Sequence, residues 1–164
     1  MLFLNCGIRR SELVNLNISD VYEDRIRVIG KGNKERVIYL NNACLSALEA
    51  YMKVRPVDGV KDRDALFISN RKTRISRESV QKMVEHYLDK IGLGGQGYST
   101  HKLRHTAATL MYQHGGVDVL VLKDMLGHEN LVTTEIYTHL ENKQLREAAK
   151  NNPLSKEFEK SENK

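Results

Sequence analysis

The stretch STHKLRHTAATL, Ser99 to Leu110, sets His101, Arg104 and His105 within five residues. On a helix, spacings of three and four bring such side chains to one face. A His pair at i, i+4 is a metal-binding spacing. The metalloprotease form of it needs Glu where Lys102 stands, no third ligand lies nearby, and Arg104 would repel a cation. A second reading is purely structural, with the histidines packed beneath a loop. The third is an anion site. A helix N-terminus directs free N–H groups and a positive dipole end outward, and the Arg104 fork matches phosphate oxygens.

An anion site calls for further cations, and the chain offers them. GIRRSELVNL places Arg9 and Arg10 after Gly7, at the start of a helix, with Glu12 able to support that helix or pair with a cation. GKGNKE places Lys31 and Lys34 in a Gly-rich turn. LGHENLVTTEIYTHL places His128 after a glycine and Tyr137 nine residues later. Spacing alone does not choose between Arg9 and Arg10, or between Lys31 and Lys34. Tyr87, Tyr98 and Tyr112 read as packing residues.

The elements that must position these groups come in the order helix, strands, helices. Ser11 to Leu16 is a short helix. Arg25 to Ile29 and Val37 to Leu40 alternate in polarity around the GKGNKE turn and predict a β-hairpin. Asn41 or Asn42 caps a helix over 43–54, which stops before Pro56. Ala65 to Ile68 reads as a short strand. Ser76 caps a helix to about Ile91, with Val80, Met83, Val84, Tyr87, Leu88 and Ile91 at helical spacing. Four glycines in 92–97 make a loop, after which Ser99 or Thr100 caps a helix to about His114. Further helical segments are expected over 119–126 and 143–150, with a short helix or irregular turn over 130–140. The fold class is therefore α+β: a mainly helical domain with a small antiparallel sheet of about three strands on one side.

The chain has 164 residues, about one domain's worth, and 40% of them are apolar, enough for a core. No run approaches the roughly 20 apolar residues of a membrane helix, and the apolar start lacks a basic leader. Cys6 and Cys44 form no CxxC pair, which suits a reduced, cytoplasmic setting. Lys plus Arg number 26 against 21 Asp plus Glu, a modest excess of five. Its distribution is more telling. Lys34 and Arg36 crowd one turn with Lys31, and Arg71, Lys72, Arg74 and Arg77 crowd another segment. With Lys102, these basic groups suit a phosphate backbone.

GIRRSELVNL, GKGNKERVIYL, THKLRHTAAT, LGH and the tyrosine nine residues on occur in one order. Together they make residues 1 to 150 resemble the tyrosine recombinase (phage integrase) catalytic domain. The resemblance implies that Arg9 and Arg104 are the two catalytic arginines, His101 the histidine of H-x-x-R, and His128 the His/Trp position. It implies Lys31 as the catalytic lysine and Tyr137 as the nucleophile. Arg10 stands where the family usually has an apolar residue. The implied function is site-specific recombination of double-stranded DNA through a 3′-phosphotyrosyl intermediate, whether for a phage, another mobile element or a chromosome-dimer resolver. No metal, ATP or other cofactor is implied.

Physical chemistry agrees with these roles. Arginine and histidine donors stabilise charge on the phosphate oxygens, and a lysine on a hairpin tip can protonate the leaving 5′ oxygen. Tyrosine, with a pKa near 10 when unperturbed, needs neighbouring cations or a base to attack. His105 is expected beside this machinery as a hydrogen-bond partner.

The family's catalytic domain begins with a helix ahead of GIRR, and a core-binding domain precedes it. The chain is thus expected to be N-terminally shortened, with weakened DNA affinity. Residues 151–164 are expected to be a tail, mobile or docking in trans. Self-association as a tetramer on paired DNA sites, and a monomer without DNA, are the family expectation. The alternative is an inactive remnant that binds DNA or sister subunits as a regulator. A type IB topoisomerase shares the chemistry but fits the motif spacing less well.

Overall fold

The computed structural model describes residues 1–115 together with Val121, Leu122 and Leu126. All of them belong to one compact unit, Met1–Gly127. The expected elements over 130–140 and 143–150, the tail, His128 and Tyr137 lie outside the described residues, as does most of 119–126.

A short helix, α1 (Leu2–Cys6), stops at Gly7, which takes the left-handed conformation at φ 59°. Glycine adopts it without the steric cost a side chain would add. α2 (Arg10–Asn15) follows, with Arg9 at its N-cap in extended conformation. A single 3-10 turn over Ile18–Asp20 is closed by Asp20, whose carboxylate accepts the Asn17 N–H at 2.9 Å.

β1 (Arg25–Ile29) and β2 (Glu35–Tyr39) pair antiparallel, from Arg25 opposite Tyr39 to Ile29 opposite Glu35. Between them a 3-10 turn spans Lys31–Asn33, with Gly32 at φ 72°, and the Gly30 N–H donates to the Lys34 carbonyl at 2.8 Å. The second strand begins at Glu35, two residues earlier than its apolar alternation suggests.

α3 (Asn42–Val54) is capped by Asn41, whose side chain accepts the Cys44 N–H at 3.0 Å. α4 (Arg77–Lys90) is capped by Ser76, and in α5 (Thr100–Gly115) the Ser99 hydroxyl accepts the Lys102 N–H at 3.3 Å.

The sheet has two strands among the described residues, not three. Segment 65–68 makes only isolated bridges, Ala65 to Asn17 and Ile68 to Arg74. Its backbone is satisfied by a few main-chain bonds, Leu66 N–H to the Leu16 carbonyl and Ile75 N–H to the Phe67 carbonyl, and by side chains. Arg55 donates to the carbonyls of Ala65 and Leu66, and the Tyr51 hydroxyl bridges the Leu66 carbonyl and the Ile68 N–H. With these groups satisfied, no neighbouring strand is required.

The core joins Ile26, Val28 and Ile38 of the hairpin to Phe3, Cys6, Leu13, Val14, Cys44, Leu48, Leu66 and Val80. α1 packs on α5, and α2 on α4. Cys6 and Cys44 are buried free thiols 3.6 Å apart; burial first, then Cys44, pushes the Cys6 thiol up to about 12. No helix among the described residues is long and apolar enough to cross a membrane.

Gly7 combines a left-handed backbone with a close neighbour. A Cβ there would lie 2.7 Å from Cδ2 of Leu126. Gly7→Ala is therefore expected to destabilise the protein by about 1–2 kcal/mol from the left-handed backbone alone, and further as Leu126 yields. Urea unfolding checks this: the midpoint falls while the slope with denaturant stays the same.

Candidate active site

The helix break at Gly7 and the N-cap of α2 lie two residues apart, and α5 packs against α1. This local geometry brings distant cations together. Arg104, in the second turn of α5, is 5% exposed. Its Nη1 donates to the Gly7 carbonyl, and its Nη2 donates to the Leu126 carbonyl at 2.6 Å. Charge-assisted bonds to two main-chain oxygens fix the plane of the guanidinium.

Arg9 meets this region through Glu12. The Glu12 carboxylate accepts the Arg9 backbone N–H at 2.9 Å and the Arg9 Nη1 at 2.9 Å. It also accepts both ends of the Arg36 fork, Nη1 on Oε1 and Nη2 on Oε2, the latter at 2.9 Å. Glu12 is 3% exposed. Burial pushes its carboxyl up, but the bonds from Arg36 and Arg9 and the Arg36 charge outweigh that and hold it below the usual range.

Arg104 feels the opposite balance. Burial first, then the Arg9 charge, push its guanidinium down to about 10; Glu12 opposes this and Arg36 adds to it. It stays cationic at neutral pH. Three guanidiniums against one carboxylate leave a surplus of two positive charges, an arrangement that favours an anion with oxygens spaced like phosphate.

The other sequence-derived residues fall in several places. Arg10 points to α4, where its Nη1 donates to Gln81 Oε1 at 3.1 Å, so the two adjacent arginines have different surroundings. His101 is exposed in the first turn of α5, three residues before Arg104, and His105 is exposed one residue beyond it. Lys31 opens the 3-10 turn between the strands. Its neighbour Gly30 lies against the cluster: a Cβ there would be 3.6 Å from Glu12 Oε1 and 3.7 Å from Arg36 Nη1.

Of the residues read as DNA contacts, Lys34, Arg71, Lys72, Arg77 and Lys102 are exposed. Arg74 is a structural clamp instead. It donates to Asp62 at 2.8 Å, to the carbonyls of Val14 and Leu16, and to Asn17 at 2.6 Å. Arg36 also turns inward, to Glu12. The sequence carries a signal for this: alternation along β2 puts Arg36 on the same side as buried Ile38, where a charge needs a partner. Among the described residues, no group of His, Cys, Asp or Glu side chains gathers to hold a metal ion.

Comparison with known proteins gives a consistent picture. Residues 1–144 match the sequence profile described as "Phage integrase family". Tyrosine recombinase XerC of Caldanaerobacter subterraneus subsp. tengcongensis is 59% identical over 156 residues, which cover 95% of this chain and 44% of that protein. The crystal structure of XerA recombinase superposes with a TM-score of 0.75 at 36% identity, covering 93% of this chain and 55% of that one. XerH site-specific recombinase, bound to difH substrate in a pre-cleavage complex, gives 0.75 at 32% identity, covering 92% of this chain and 44% of that one. The chain thus spans about half the length of these relatives.

The buried carboxylate makes stability depend on acid. Because the Glu12 pKa is lowered in the folded state, its contribution is complete above the unfolded value, near 4.5, and is lost as pH falls from there through the folded pKa. Glu12→Gln is expected to cost about 3 kcal/mol at neutral pH, since it leaves the guanidiniums facing one another. The gap between variant and wild type should narrow on acidification. Urea unfolding of both between about pH 3 and pH 7 measures it; a gap that stays constant is the contrary result.

Proposed function

Because the chain belongs to the phage integrase family, we propose that it is the DNA-cutting part of a site-specific tyrosine recombinase. It would act on double-stranded DNA in the cytoplasm. The observation that supports this most is the meeting of Arg9, Arg104 and Arg36 around Glu12, at the root of the hairpin turn that carries Lys31.

In this reading, the scissile phosphate sits at the surplus of positive charge, with Arg9 and Arg104 facing its non-bridging oxygens. His101 and His128 add donors. The Tyr137 oxygen attacks phosphorus and forms a 3′-phosphotyrosyl bond, its proton passing to a histidine or a phosphate oxygen. The bond from phosphorus to the 5′ oxygen breaks. That oxygen keeps the electron pair and takes a proton from the Lys31 ammonium, which becomes a neutral amine.

Fixed cations accelerate such a step because the charge they meet develops on oxygens already in their reach. A 5′ hydroxyl from a partner strand reverses the reaction. The phosphodiester energy is held in the phosphotyrosyl bond, so neither ATP nor a metal takes part. Exposed Lys34, Arg71, Lys72, Arg77 and Lys102 would follow the DNA backbone. The working assembly would be a tetramer on paired sites, formed from monomers.

The test is a library of nicked duplexes with a randomised half-site, incubated with the 164-residue chain. A protein–DNA adduct that survives denaturation, with a free 5′ hydroxyl on the released strand, is expected. Tyr137→Phe should form none, and Arg9→Ala should form it roughly 100-fold more slowly. Binding of the duplexes without any adduct would instead identify a DNA-binding remnant. Cleavage that persists in Tyr137→Phe would take that residue out of the nucleophile's role.

A further inference from the structure

The β1–β2 hairpin has no third strand beside it among the described residues. An isolated two-stranded ribbon is marginally stable in water. A turn at its end holds one position only if something fixes it. Within the turn, the described backbone restraint is the Gly30 N–H on the Lys34 carbonyl, 2.8 Å, which closes the loop on itself. Gly32 and Asn33 both sit at positive φ.

The strands are held to the body by Ile26, Val28 and Ile38 in the core and by Arg27 on Asp20, and the polar tie nearest the turn comes from Arg36. It is two residues beyond the turn and opposite Val28 in the ladder. Its fork grips both oxygens of Glu12, Nη1 on Oε1 and Nη2 on Oε2, the latter at 2.9 Å. A planar two-point grip fixes direction as well as distance. Glu12 is in turn held by the N–H and side chain of Arg9, each at 2.9 Å. The backbone just before Lys31 rests on this junction, for a Gly30 Cβ would be in ordinary contact with Glu12 Oε1 and Arg36 Nη1. One carboxylate therefore connects the start of α2, which carries Arg9, to the turn that carries Lys31.

We propose that Arg36 is a positioning residue for the proton donor: by gripping Glu12 it fixes the root of the 30–34 turn beside Arg9, so that Lys31 meets the leaving 5′ oxygen. This rests on Lys31 as the general acid. Arg36 is then not a contact to the DNA backbone, because its fork faces a protein carboxylate. Its largest effect on the reaction is then on the step in which the 5′ oxygen gains its proton, with a smaller one through the charge it adds beside Arg9.

A sulfur atom in place of the 5′ bridging oxygen isolates that step, since a thiolate leaves without being protonated. Duplexes cleaved by the wild-type chain are prepared in both forms. Lys31→Ala and Arg36→Ala should each lose roughly 100-fold or more on the oxygen form and regain most of it on the sulfur form. Arg36→Lys, which keeps the charge without the fork, should fall between. Arg9→Ala should remain slow on both. Equal impairment of Arg36→Ala on the two substrates overturns the proposal, and so does full activity on oxygen. Failure of sulfur to restore Lys31→Ala removes the proton donor itself and the role of Arg36 with it.

Amide hydrogen exchange tests the same link without DNA. In Arg36→Ala the Gly30 amide should exchange at least tenfold faster, equivalent to about 1.4 kcal/mol, while the α3 amides keep their protection. An unchanged Gly30 amide, or loss of protection throughout α3, overturns it.

Discussion

Glu12 is a buried carboxylate shared by two arginines, with a third close enough for its charge to be felt. Alone, such a group would be costly to bury. In place, it ties the N-terminus of α2 to the second strand and brings Arg9 into the field of α5. Arg104 completes the arrangement from the other side, hung on the carbonyls of Gly7 and Leu126. The left-handed turn at Gly7 sets one of those carbonyls in the path of α5. The shape of the chain here and the charge of the site are thus one construction, and a change in either is felt in the other.

Arginine has two uses in this fold, and the burial of its surroundings separates them. Arg55 satisfies carbonyls of segment 65–68, and Arg74 those at the C-terminal end of α2. Arg74 also bonds Asp62 and holds its carboxyl below the usual range through that bond and the arginine's charge. Arg71 and Arg77 are close to Arg74 in sequence yet exposed. A basic stretch is therefore not a uniform surface. Its middle member stitches 14–17 to 62, and its outer members face solvent.

Much of this was legible in the residues. α3, α4 and α5 have a capping side chain at the first turn and helical spacing behind it, and both signals are local. The hairpin was legible because its glycines and Asn33 suit a tight reversal. Segment 65–68 was not: its β-like composition is real, but Tyr51 and Arg55, far away in sequence, take its backbone groups. Arg9 and Arg104 stood out through their motifs, whereas the role of Arg36 did not. A charge beside a Gly-rich turn looks like a surface group until the strand's alternation is set against the buried Ile38. Glu12 was legible as a helix partner of Arg9, three residues away. Its second partner, 24 positions on, depends on how the hairpin folds back.

The surplus of charge around Glu12 also separates two responses to dissolved salt. Like charges held at close range push against each other, and mobile ions soften that push, though less for groups as buried as Arg104. Added salt thus relieves part of the internal repulsion and also weakens the pairs that Arg9 and Arg36 make with Glu12. A polyanion docked on the same guanidiniums releases its own condensed cations, and added salt opposes that release. On the proposed reading, folding and docking would therefore both respond to ionic strength through one set of side chains.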